Sequence, residues 1–390
     1  LVGVPGVTVL DAFKMDSGKG QGFGFSHLRG VVAEHRPDIV LVHNDINIVA
    51  RVVDALQGGS TGVPVMAYID LVYRGIRPAC VSVLNRCVSV VGYSPRWAAH
   101  LVDQGVTVPV YHAGHGVDRD IIYPIPKKLA RAIFSLNEDD FIVLNMNTNI
   151  TRKRWDVCMG AWALVVADFM SNGGPFPKLV INANLTGAWD LLHVYAMELK
   201  DAGVDVQAGM KHIVPVASGH TLSDFHVNAL YNAADVGLSV GDGEGYGLCA
   251  VEHVSVGRPV VASAVGGHLD NLKSDSVTLI PPSCRYHVDG SRVDGGGVGE
   301  IVAVPAVASA LLRLRHDIKG TVRKARLATE TPVPGWKVAV SDMHHALSAT
   351  VGAWAEAVPE LPEVPPPASK SVIELENIAH ALREVIAKIK

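Results

Sequence analysis

Short runs rich in Val and Ile recur from about Asp38 almost to Leu314, with helical periodicity between many of them. The predicted strands of the first half are Ile39–His43, Pro64–Ile69, Ser89–Gly92 and Pro109–His112. After a break they resume at Phe141–Asn145, Lys178–Asn182, Val204–Gln207, Asp235–Ser239, Pro259–Ser263 and Val277–Ile280. Most are continuously apolar rather than alternating, as expected for parallel strands covered on both faces. The helical stretches between them make βαβ units. The pattern predicts an α/β chain of two doubly wound domains.

The break falls at Tyr123-Pro124-Ile125-Pro126. Two prolines so close together continue neither a helix nor an inner strand. Residues 1–125 are therefore expected to form one domain and 126–345 the second, with 346–390 a segment that returns, a linker and a terminal helix. Residues 17–26 are Gly-rich but lack the spacing of a phosphate-binding loop, so a flexible loop is expected there. Pro362 to Pro367 reads as a stiff, extended linker. Ser371 and Glu374 then form a capping box, and Leu375, Ile378, Leu382, Val385 and Ile389 make one apolar seam. Such a helix either docks on its own body or serves self-association.

Composition narrows the function. Of 390 residues 48% are hydrophobic and 18% charged, enough apolar material for sizeable cores. A net charge of −4 leaves no electrostatic footprint for nucleic acid. No apolar run approaches the roughly 18 residues of a membrane span. The five cysteines, at 80, 87, 158, 249 and 284, have no zinc spacing and suggest no disulfide framework. They read as buried thiols of a reducing compartment, hence a cytoplasmic protein. Nor do the 17 histidines, His344-His345 and His212, His220 and His226 among them, fall at metal-site spacings, so no metal is expected.

The richest chemistry lies at Val240-Gly-Asp-Gly-Glu-Gly-Tyr-Gly-Leu-Cys-Ala-Val-Glu-His253, where a buried strand enters a Gly-rich turn and a helix follows from about Tyr246. Ligands of open parallel sheets bind outside the carboxyl ends of the strands, so this turn faces a cleft. The first amides of the helix, around Tyr246, Gly247 and Leu248, suit a diphosphate. Gly245 and Gly247 permit close backbone approach. Glu252, one turn into the helix, can reach back to accept hydroxyl hydrogen bonds, as from a ribose. Glu244 sits in the turn, closer to a transferred sugar. A plain Gly-rich turn with two solvated glutamates is the alternative these residues leave open.

Glu244 and Glu252 within E-G-Y-G-L-C-A-V-E resemble the paired-glutamate motif of retaining GT-B glycosyltransferases. Three further stretches resemble that family in order. They are His115-Gly-Val-Asp118 with Tyr123-Pro124, the segment Phe141 to Asp156, and G-R-P-V-V-A-S-A-V-G-G-H-L-D at 257–270. The resemblance covers roughly 38–345, and the wording of 38–45 and 141–156 is most similar to glycosyltransferases encoded by large DNA viruses of algae.

The resemblance implies a GT-B fold, two Rossmann-like domains facing a central cleft, and transfer of a sugar from a nucleotide diphosphate. It makes Lys153, with Arg152 beside it, a cationic clamp on the departing diphosphate, so that neither metal nor other cofactor is required. It places Glu252 at the ribose and Glu244 at the sugar. The backbone of Gly245, Tyr246, Gly247 and Leu248 would lie at hydroxyls and phosphate, and Asp270 in the turn after Gly266-Gly267. GDP-mannose is the first expectation for the sugar donor, UDP-sugars the next. The acceptor would be a hydroxyl on a glycan, lipid or protein-linked sugar. A nucleotide-sugar epimerase of the same fold, or a sugar-nucleotide-binding module without catalysis, are the rivals.

Three departures stand out. Thr148 occupies the place in the diphosphate turn where many members carry arginine. Ile69 precedes Asp70 where many carry histidine, leaving Asp70 as the cleft-facing candidate, with Asn44 and Asp45 at the neighbouring strand end. Residues 1–37 match no first strand and Gly-rich loop, and the chain opens Leu1-Val2-Gly3 without Met. A missing native N-terminus is the resulting expectation.

Overall fold

A computed structural model describes residues 8–12, 23–57, 62–216, 222–292 and 296–357. Most of the Gly-rich segment 17–26, His220, and the linker, capping box and seam of the tail lie outside the described residues.

Two parallel sheets organise the chain. The first has order β1-β2-β3-β4, with β1 Val40–Asp45, β2 Val65–Asp70, β3 Ser89–Gly92 and β4 Val110–His112. The second contains β5 Phe141–Asn145, β6 Pro177–Ile181, β7 Ile213–Pro215, β8 Val236–Ser239, β9 Val260–Ser263 and β10 Val277–Ile280. Its order is β10-β9-β8-β5-β6-β7, so the winding reverses between β5 and β8. The crevice beside such a reversal is where open α/β sheets bind ligands.

Continuous apolar runs became central strands for the expected reason. Every residue of β5 is buried, and helices cover both sides. The helix Trp155–Asn172 is apolar almost all round because it is sandwiched: Trp155, Cys158 and Trp162 are fully buried against helices Leu191–Asp201 and Val304–His316.

One predicted strand is a helix. At Val204–Gln207 the Asp205 side chain accepts a hydrogen bond from the Ala208 amide and caps the short helix Val206–Gly209, while the edge strand forms later, as β7. The sequence pattern also missed an antiparallel hairpin, β11 Pro282–Val288 with β12 Gly297–Val302. On β11 Cys284, Arg285 and His287 are exposed while Tyr286 and Val288 turn inward, and on β12 Gly299 and Val302 are buried. Of the five free thiols, Cys80, Cys87 and Cys158 are buried as expected, Cys249 is half-buried, and Cys284 is exposed because it sits on this hairpin.

Among the described residues the chain passes between the halves twice, and the passages touch. Val117 N–H donates to the Pro334 carbonyl at 2.9 Å, and Val117 pairs with Gly335. A methyl group on Gly116 would lie 2.2 Å from the Gly335 carbonyl carbon, so only glycine fits. The unbroken helix Trp336–Ala357 then packs on the first sheet, with Ser89 Oγ 2.7 Å from Thr350 Oγ1. The return thus begins at Gly335-Trp336, ahead of position 346, because the helix that belongs to the first sheet already starts there. No helix among the described residues is long and apolar enough to cross a membrane.

Candidate active site

Because β5 and β8 are neighbours, the turns that leave them meet. After β5 the chain makes a 3-10 turn, Thr151–Lys153, and Arg154 takes a left-handed conformation before the helix begins. After β8 comes the turn 240–247, ended by Gly247 at φ +90°. The Asp242 amide donates to the Arg152 carbonyl at 2.9 Å and joins the two turns.

This junction sets Lys153 Nζ 2.5 Å from Glu244 Oε2, with Arg152 Nη1 at 3.5 Å from the same oxygen. All three side chains are largely buried: 11%, 16% and 8% exposed for Lys153, Arg152 and Glu244. Burial alone pushes the Glu244 carboxyl up. The charges of Lys153 and Arg152, and nearby His268, outweigh it and hold the pKa down at about 2.

Asp70 approaches the same turn from the other sheet. It ends β2, and a side chain on Gly245 would have its Cβ 2.0 Å from Asp70 Oδ1. Gly245 is therefore required, but by Asp70 rather than by a ligand. Asp70 Oδ1 is buried without a hydrogen-bond partner. Burial raises its pKa to about 7; Asp45 and Glu244 push the same way, while Arg152 and Lys153 oppose.

The carbonyls of the turn are tied down inside the protein. Glu244 O accepts from the Gly267 amide, Gly245 O from the Trp97 indole at 2.9 Å, and Tyr246 O from the Asn271 amide group at 2.8 Å. Tyr246 itself is buried, and its hydroxyl donates to His115 O at 2.6 Å. The helix Leu248–Ser255 begins two residues later than expected, so the amides of Leu248 and Cys249 have no acceptor within their own helix. In that helix Glu252 accepts a 2.5 Å hydrogen bond from the buried Tyr231 hydroxyl. Burial still leaves its pKa raised, the tyrosine bond opposing.

Two further expected residues make contacts of a different kind. Thr148 is exposed, and its carbonyl accepts the Trp155 indole N–H at 3.2 Å. Asp270 belongs to the short helix His268–Asn271 and bridges to the first half, accepting from Ser94 Oγ at 2.6 Å and Arg96 Nε at 3.0 Å. A carboxylate so engaged ties the two halves together. Asn44 serves its own turn, its Oδ1 accepting from the Asp45 amide.

The sequence reading missed Tyr231, Asp242 and His268. His268 is fully buried beside Gly247, its Nδ1 2.9 Å from Ser263 O and its Nε2 without a partner. Tyr231 carries no local pattern that separates it from core residues, whereas Asp242 and His268 lie inside the two Gly-rich stretches and read as turn residues. A cavity of about 1030 Å³ lies between the halves, lined by Arg96, Trp97 and His100 of the first and Gly266, Leu269 and Cys284 of the second, and neither Lys153 nor Glu244 lines it.

No model of a known protein family matches the chain. It is 26% identical over 222 residues to D-inositol 3-phosphate glycosyltransferase of Mycobacterium bovis (strain BCG / Pasteur 1173P2), covering 57% of this chain and 40% of that protein. The chain thus spans well under half the length of the curated relatives it matches. Among solved structures, sucrose-phosphate synthase from Thermosynechococcus elongatus superposes with a TM-score of 0.64 at 16% identity, over 90% of this chain and 82% of that one. Anabaena HepE, solved in complex with UDP and glucose, superposes with a TM-score of 0.61 at 16% identity over 84% of each chain. The fold is GT-B, two facing α/β halves.

Proposed function

We propose that the chain is a glycosyltransferase that moves a sugar from a nucleoside-diphosphate donor to an acceptor hydroxyl, with retention and without a divalent metal. The observation that carries this reading is the Lys153, Arg152 and Glu244 cluster beside the N-terminus of the helix Leu248–Ser255, with Asp70 closing on it from the opposite half. The likeness to a named glycosyltransferase supports it from the sequence side.

In the proposed reaction the acceptor oxygen attacks the anomeric carbon from the face the diphosphate leaves. The bond from that carbon to the diphosphate breaks, and a phosphate oxygen takes the acceptor proton. Lys153 and Arg152 neutralise the charge that develops on the departing group, and the open helix amides add to it. Glu252, oriented by Tyr231, takes a ribose hydroxyl, and Glu244 lies against the sugar. This is the arrangement of the paired-glutamate family, and the virus-encoded branch is the part of it to which 38–45 and 141–156 point.

GDP-mannose remains the first sugar donor to try on the sequence resemblance. A neighbour solved with UDP and glucose puts UDP-glucose beside it. The acceptor is a glycan, lipid or protein-linked hydroxyl, and five free thiols support a cytoplasmic setting. The test is incubation with a panel of GDP-, UDP- and ADP-sugars, with product analysis. Release of nucleoside diphosphate with glycoside formation is expected. Isomerised sugar nucleotide would make the protein an epimerase, and binding without either product would make it a binding module.

A further inference from the structure

The β11–β12 hairpin belongs to the second half yet is fastened to the first. The Val298 amide donates to the Arg74 carbonyl at 2.8 Å, and Arg74 pairs with Glu300 at 2.6 Å. The Asn47 side chain reaches across to the Arg292 carbonyl at 2.6 Å. Beneath these contacts, Val72 and Tyr73 of the first half pack with Tyr286 and Val288 of the hairpin.

One carboxylate ties this contact to the turn that carries Glu244. Asp242 is 1% exposed. Its Oδ1 accepts from the Tyr73 hydroxyl at 2.8 Å, and its Oδ2 from the Tyr286 hydroxyl at 2.5 Å. Its amide is bonded to Arg152 O, and its carbonyl accepts from the Glu300 amide at 2.9 Å. The Tyr73 ring also lies on Gly243, where a Cβ would meet it at 2.5 Å. The residue between Asp242 and Glu244 thus has a first-half aromatic ring pressed on its backbone. Burial raises the Asp242 carboxyl above its ordinary value, opposed by the hydrogen bonds from Tyr286 and Tyr73 and by the charges of Arg154 and of Arg292, which lies over the Tyr73 ring.

A buried carboxylate is costly unless both oxygens are satisfied. Here satisfaction needs three pieces at once: the turn, the hairpin and the loop after β2. Tyr73 can reach Asp242 only while the halves are closed. We propose that Asp242 is a positioning residue that couples closure of the two halves to the set of the Glu244 turn, through the hydroxyls of Tyr73 and Tyr286. Its carboxylate does not touch the reacting atoms. It holds Glu244 and Lys153 in register with Asp70 when the cleft shuts.

This inference rests on the glycosyltransferase reading for its kinetic arm only. Tyr73→Phe, Tyr286→Phe, the double variant and Asp242→Asn are compared with the parent. Loss of both charge-assisted hydrogen bonds is expected to lower kcat about tenfold or more. The Kd for nucleoside diphosphate, measured by calorimetry, should stay within about twofold, because Lys153 and Glu252 remain. Small-angle scattering should show a larger radius of gyration for the double variant. Asp242→Asn keeps one acceptor oxygen and should fall between parent and double variant. A lower Tm with kcat and radius unchanged would reduce the contact to a structural one and overturn the proposal. If the parent releases no nucleoside diphosphate, the glycosyltransferase reading fails, and the scattering comparison still decides the coupling: an unchanged radius overturns it.

Discussion

Lys153 and Glu244 neutralise each other, their charged atoms 2.5 Å apart in a largely buried site. A diphosphate that takes Lys153 must first draw it from this carboxylate. Glu244→Gln is therefore expected to tighten nucleoside diphosphate binding about tenfold, by releasing a charge-assisted bond from competition. Transfer should fall at least about a hundredfold, since Glu244 lies against the sugar in the proposed complex. Calorimetry beside a product-release assay reads both, and weaker binding by the variant would contradict the competition.

The opposite sign is expected for the groups proposed to grip the nucleotide. Lys153→Ala and Glu252→Ala should each weaken nucleoside diphosphate binding by roughly ten- to hundredfold, the worth of one charge-assisted hydrogen bond. Lys153→Ala carries a second cost, because it leaves the buried Glu244 with only the longer Arg152 contact at 3.5 Å. Breaking a buried pair costs about 3–5 kcal/mol, so this variant should also melt earlier than Glu252→Ala. Unchanged affinity in both variants would remove the site assignment.

Asp70 predicts a pH dependence. Its carboxyl is raised by burial to about 7, so between the unfolded value and 7 the folded chain holds a proton that the unfolded chain has lost. Its contribution to stability therefore declines as pH climbs through that window, and above it the buried charge is carried in full. Asp70→Asn stays neutral throughout. The variant should gain stability over the parent at pH 8.5, on the order of a few kcal/mol, and little at pH 4. Thermal melts at the two pH values check this, and a gain that does not grow with pH would refute it.

Turnover should survive chelation. In the proposed site Lys153, Arg152 and the open helix amides would supply the positive charge that a cation supplies elsewhere. Activity measured after exhaustive treatment with a chelator is expected to match the untreated protein. Loss of turnover that manganese or magnesium restores would overturn the metal-independent mechanism.

The strands were legible because parallel strands buried on both faces leave unbroken apolar runs, and β5 and β9 are such runs. The edge strand β7 was not, since Ile213–Pro215 is short and ends in proline. The hairpin escaped for a related reason: with one side exposed, its few inward residues do not stand out from loop sequence. At the site, the motif residues Lys153, Glu244 and Glu252 sat on adjoining turns and one helix, where local spacing could reveal them. Tyr73, Tyr231 and Tyr286 reach the same turn and helix from far along the chain. No local pattern records such contacts, which arise from tertiary packing. Asp270 shows the converse: a motif position survives while its carboxylate is committed to Ser94 and Arg96.

Two separate crossings between halves would act as two tethers, free to let the cleft gape, twist or shear. Here Gly116 and Val117 lie against Pro334 and Gly335, with no room for one side chain between them. The two passages form one axle. Opening of the cleft is then expected to reduce to rotation about that line, a single swing rather than a gape or a shear.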